Sequence, residues 1–72
     1  MQNDLRSDEF LCAAMERCGD AVYRLAYCRL GSHADAEDVY QEVFLRLMQD
    51  TTEFRDAEHL KAWLLRVTLS RC

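Results

Sequence analysis

No proline interrupts this chain of 72 residues, and glycine occurs only at Gly19 and Gly31. Proline and glycine are the residues that stop helices and turn strands. A chain so poor in both is committed to long helices joined by short connections. Half its residues are hydrophobic, enough for one core. Its length allows one domain at most, with modest stability because a chain this short buries only about 60% of its unfolded surface.

The hydrophobic spacing divides the chain into four helical pieces. Ser7 is a small polar cap, followed by Asp8 and Glu9 where the helix dipole favours acids. Phe10, Leu11, Ala14, Met15 and Cys18 then recur at helical spacing. Gly19-Asp20 reads as a break or kink. A second helix runs to about Leu30, with Val22, Leu25 and Ala26 on one side and Tyr23, Tyr27 and Leu30 on the next. Gly31 suits the left-handed position past a helix end. Ser32 or Asp35 caps a third helix, with Glu37 and Asp38 near its positive end, and this helix runs to about Gln49. Residues 50–56 lack a helical period and read as a loop. Asp56 caps a fourth helix, from about Ala57 to the end. The expected fold is all-α, a compact bundle of four short helices in a single domain spanning 1–72.

Several function classes are set aside. No apolar run approaches the roughly 18 residues of a membrane span, and Met1-Gln2-Asn3-Asp4 has no signal-peptide character. Cys12, Cys18, Cys28 and Cys72 have no C-x-x-C spacing, and His33 and His59 are not paired with them. The first three fall in apolar helical stretches, where reduced cysteine serves as a small core residue. That usage fits a reducing compartment and a cytoplasmic protein. No nucleophile–base pair, phosphate loop or metal cluster is visible, so neither an enzyme nor a cofactor is expected. The histidines are expected at the surface.

Charge is distributed unevenly. Residues 1–31 hold five acids and four bases, residues 32–58 hold eight acids against Arg46 and Arg55, and residues 59–72 hold Lys61, Arg66 and Arg71 with no acid. An acidic middle leads into a basic end. Charge scatter accounts for this as well as a basic and an anionic partner do.

Two helix faces are not explained by the core. At about 100° per residue, Ala36, Val39, Tyr40, Val43, Phe44 and Leu47 share one arc of the third helix. Asp38, Gln41, Glu42, Leu45, Met48 and Gln49 share the opposite arc. The polar residues there suit a solvated face. Leu45 and Met48 among them suit a docking face, and periodicity leaves both readings open. On the fourth helix Leu60, Trp63, Leu64 and Val67 form the core stripe, while Leu65 and Leu69 point elsewhere. His59, Ala62, Arg66 and Ser70 lie along another side. Trp63 and Arg66, after a loop bearing Phe54 and Arg55, combine groups that stack on bases and neutralise phosphates. Trp63 is equally a core tryptophan, and Phe54 a loop residue folded onto the core.

These residues carry a resemblance. The run Asp35-Ala36-Glu37-Asp38-Val39-Tyr40-Gln41-Glu42-Val43-Phe44-Leu45-Arg46-Leu47 resembles the second region of bacterial sigma factors of the extracytoplasmic-function group. Tyr23 through Gly31 resembles the helix before it. Phe54-Arg55 and Trp63-Leu64-Leu65-Arg66-Val67 resemble the promoter-reading loop and helix. The match runs in order from about Phe10 to the end.

The resemblance implies a transcription initiation domain with two partners. Asp38, Gln41, Glu42, Leu45 and Met48 would contact core RNA polymerase, at the coiled coil of its largest catalytic subunit. Phe54, Arg55, His59, Lys61, Trp63, Arg66 and Ser70 would bind promoter DNA, on the non-template strand of the minus-ten element, where one base is flipped out and the duplex begins to melt. An anti-sigma factor is a further implied partner, and a membrane is not. Ser70 departs from the asparagine usual there; a hydroxyl is shorter and offers a base edge less. Family members also continue into a helix-turn-helix domain, so the chain reads as a domain excised from a longer one. The alternative is a polymerase-docking domain without productive DNA reading.

Overall fold

The computed structural model describes residues 8–72. The Ser7 cap and the first four residues lie outside them. Among the described residues there are three α-helices and no strands: α1 Asp8–Leu30, α2 His33–Gln49 and α3 Ala57–Arg71. The all-helical expectation holds, but four helices become three.

The correction lies at Gly19. α1 runs unbroken through Gly19-Asp20. Glycine costs about 1 kcal/mol relative to alanine inside a helix, yet here it is buried where α1 crosses α2. A Cβ on Gly19 would stand 2.9 Å from the Tyr40 hydroxyl. The glycine is a packing residue, and the contact it permits offsets its poor helix propensity. The small residues Ala14, Cys18, Val22 and Ala26 continue the same buried stripe at four-residue steps, letting the helices approach closely.

The ends follow local chemistry. Gly31 takes φ +71° and donates its N–H to Tyr27 O at 2.7 Å, closing α1. Ser32 is then the cap of α2, its hydroxyl accepting from the Asp35 N–H at 3.3 Å. The helix thus starts at His33, so Asp35 occupies the first turn, and Glu37 and Asp38 lie beyond it. Asp50 closes α2, and its carboxylate accepts from the Thr52 N–H at 2.7 Å. Asp56 caps α3 by accepting from the His59 N–H at 2.8 Å.

The core joins Ala36, Val39, Val43, Phe44 and Leu47 of α2 to the α1 stripe, and Leu60 and Leu64 of α3 close it. Tyr40, placed on the core arc, is half-buried at its edge. Trp63 and Val67 flank the α3 stripe rather than fill it; Thr68 is fully buried instead. Its hydroxyl donates to Leu64 O at 2.7 Å, which removes the cost of burying it. Of the three helical cysteines only Cys18 is core; Cys12 and Cys28 are exposed, because their positions turn away from the Ala14–Ala26 stripe. Leu65 packs against the core and Leu69 remains 45% exposed.

Candidate protein-docking and nucleic-acid interfaces

α2 has one side committed to the core and the other free. Asp38, Gln41, Glu42, Leu45 and Gln49 are exposed, and Met48 is half-buried. Leu45 is the outlier, an aliphatic side chain 59% exposed among amides and carboxylates. It stands on a ridge. On one side lies an apolar depression lined by Leu11, Met15, Phe44 and Met48. On the other lies a polar one lined by Glu42, Arg46, Gln49 and Arg71. Met48 is therefore the floor of a groove more than a projecting contact. All five residues singled out from the motif share this one face, because 38, 41, 45 and 48 follow helical three- and four-residue steps and 42 lies beside them.

At the end of the same helix pair, Tyr23, Tyr27, His33 and Tyr40 form an aromatic cluster. Tyr23 Oη and His33 Nδ1 share a 2.6 Å hydrogen bond, and the His33 ring stacks on Tyr27 at 4.6 Å. His33 is exposed, as expected, but its ring is engaged. Burial, with a smaller effect from Asp20, pushes the Tyr40 phenol above its ordinary value. Burial likewise pushes up the Cys18 thiol, opposed by Lys61 and Arg17.

The loop before α3 is tied down by side chains. Phe54 folds back, stacking on Phe10 at 6.4 Å and meeting Trp63 edge-on at 5.6 Å and His59 at 5.2 Å. His59 Nδ1 accepts from the Arg55 N–H at 3.1 Å, while its own N–H caps the helix through Asp56. His59 thus shapes the loop, and the Arg55 side chain is exposed beside it. Trp63 is half-buried and lines a groove on α3 with Arg66, Val67 and Ser70.

The seven residues expected on this side do not form one patch. Phe54, His59 and Trp63 are continuous through the ring contacts, with Arg55 joined by its backbone hydrogen bond to His59, and Trp63, Arg66 and Ser70 are continuous through the groove. Lys61 lies apart. It falls across the buried Leu60–Leu64–Thr68 stripe from Trp63, on the side where its charge reaches Cys18 of α1. Conversely, the groove includes two arginines that no motif assigned, Arg46 of α2 and Arg71 of α3. Arg71 Nε also lies 3.8 Å from Glu42 Oε1, across the α2–α3 seam. Pairing of this kind depends on helix packing, which helical spacing does not report.

Among the described residues, no group of His, Cys, Asp and Glu could hold a metal ion, and no helix is long and apolar enough to cross a membrane.

The sequence model of sigma-70 region 2 matches residues 14–72. A relative, the ECF RNA polymerase sigma factor SigE of Mycolicibacterium smegmatis, is 41% identical over 49 residues, covering 68% of this chain and 19% of that protein. The chain thus spans about a fifth of the length of this relative. No solved structure matches the chain. With the family model covering most of its length, the chain belongs to the sigma-70 region 2 family.

Proposed function

We propose that this domain docks on core RNA polymerase through the outer face of α2 and holds the non-template strand of the minus-ten element along α3. The observation that carries the first half is Leu45, 59% exposed on a helix whose opposite side packs into the core. An exposed leucine ringed by Asp38, Gln41 and Glu42 has the makings of an interface centre, an apolar anchor inside a polar rim. The coiled coil of the largest catalytic subunit is the partner, with Met48 and the adjoining apolar depression receiving its side chains. For the second half, Trp63 supplies a stacking surface and Arg66 a phosphate contact, with Ser70 beyond them on the same face. Base capture and strand separation would occur where this groove meets Phe54 and Arg55. The test is to measure binding of the chain to the coiled coil and to a single-stranded minus-ten oligonucleotide separately. Gln41→Ala should weaken only the first, and Arg66→Ala only the second.

A second reading, docking without productive DNA reading, draws on Phe54. Its ring is already engaged by Phe10, His59 and Trp63. Together with Ser70 in place of asparagine, that leaves fewer groups to hold a base. Coiled-coil binding with no preference among oligonucleotides would favour it.

A further inference from the structure

The groove on α3 has a wall from another helix. Arg46, in the last turn of α2, lines it together with Trp63, Arg66, Val67, Ser70 and Arg71 of α3. Three guanidinium groups thus border one exposed trough, and no carboxylate lines it. Glu42, which lines the adjoining depression, pairs with Arg71 at 3.8 Å. That pair is long and exposed, so it neutralises Arg71 only weakly. In a chain of net charge −4 such a concentration is a local departure from the overall balance.

The geometry points to Arg46 as a phosphate contact for a nucleic-acid strand lying in this trough, so that α2 serves both partners, polymerase through Leu45 and DNA through Arg46. The inference rests on the DNA half of the proposed function and extends it to a residue that the docking helix contributes. A single strand is the occupant that the lining favours. Planar guanidinium forks match phosphate oxygens, and the indole of Trp63 in the same lining offers a base a stacking surface. An acidic protein segment would satisfy the arginines but leave the indole without a planar partner. Arg46 is exposed and its side chain is no part of the core, so replacing it should not disturb folding. Because Arg46 also borders the polar depression beside Leu45, a strand in the trough would run along the edge of the docking face.

The experiment is a salt titration of the binding of the whole chain to a dye-labelled single-stranded minus-ten oligonucleotide, followed by fluorescence anisotropy. Wild type, Arg46→Ala, Arg46→Lys, Arg66→Ala and Arg29→Ala would be compared. Arg29 is an exposed arginine of α1 outside the groove and controls for total charge. Arg46→Ala should weaken binding roughly three- to tenfold at low salt and flatten the salt slope by about 0.7, one phosphate contact on a single strand. Arg46→Lys should keep most of the slope, and Arg29→Ala should change neither quantity. If wild type binds and Arg66→Ala weakens it while Arg46→Ala matches Arg29→Ala, the role of Arg46 is refuted and the proposed function stands. If folded wild type does not bind the oligonucleotide at all, both fall. An acidic peptide that competes with the oligonucleotide at equal strength would also overturn the assignment of a nucleic-acid strand.

Discussion

Gly19 of α1 and Tyr40 of α2 meet so closely that a Cβ on the glycine would lie 2.9 Å from the tyrosine hydroxyl. Gly19→Ala therefore sets two effects against each other. Helix propensity favours alanine by about 1 kcal/mol, while the added methyl must displace a ring held against Phe44 at 4.9 Å and Tyr23 at 6.4 Å. Tyr40→Phe removes the nearest atom and leaves ring carbons at 3.5 Å and beyond, an ordinary contact. Gly19→Ala should consequently be more favourable in the Tyr40→Phe background than in wild type, by at least about 0.5 kcal/mol. A double-mutant cycle by urea unfolding checks this, and strict additivity would refute it.

Cysteine burial makes a prediction readable by chemistry. Cys18 is buried with its thiol pushed up by desolvation, while Cys12, Cys28 and Cys72 are exposed. With a colorimetric disulfide reagent near neutral pH, three thiols of the native chain should react promptly and the fourth only as the protein unfolds. Thiolate is the reacting species, so burial and the raised pKa act in the same direction.

Alkaline stability should follow Cys18 and Tyr40. Both groups have folded values above their ordinary ones of 9.0 and 10.0. The fold prefers the protonated forms, so this stabilisation is fully present below the unfolded values and is lost as pH rises through the folded ones. Stability should therefore decline above about pH 9. The decline should be shallower in Tyr40→Phe, as measured by thermal melts across pH 8 to 11 or so.

Asp56 holds the start of α3 and, through His59, the loop that carries Phe54 and Arg55. Asp56→Ala should cost about 1 kcal/mol of stability, the usual loss for a helix cap. It should also raise amide exchange at Arg55 and His59 above that at Leu64. Unchanged exchange at those two amides would show that the ring contacts of Phe54 alone hold the loop.

Much of this fold could be read from single residues with a local role. Gly31, Ser32 and Asp56 end or begin helices by bonds to their immediate neighbours, and each does so in the structure. The grouping of Asp38, Gln41, Leu45 and Met48 on the outer face of α2 was legible for the same reason, since one helix period places them together. Gly19 was misread because its local tendency, to break a helix, is overruled by a contact with Tyr40, 21 positions away. Thr68 was missed because a threonine enters the core only when its hydroxyl finds a carbonyl such as that of Leu64. The grouping of Arg46 with Arg66 and Arg71 depends on how α2 crosses α3, which neither helix encodes by itself.

Glu42 and Arg71 are exposed and 3.8 Å apart, a pair worth at most about 1 kcal/mol. Glu42→Ala should hence leave the melting temperature nearly unchanged. Any loss of partner binding in that variant then reports on docking and not on folding. A large drop in stability would mean that Glu42 serves the fold first.

The most direct measurement is the equilibrium affinity of this chain for the isolated coiled coil of the largest RNA polymerase subunit, with wild type, Gln41→Ala and Leu45→Ala compared. Wild type should bind, and each substitution should weaken binding by about fivefold or more without lowering the melting temperature. Absence of binding by the folded wild-type chain, or equal affinity in all three, would contradict the assignment of α2 as the docking helix.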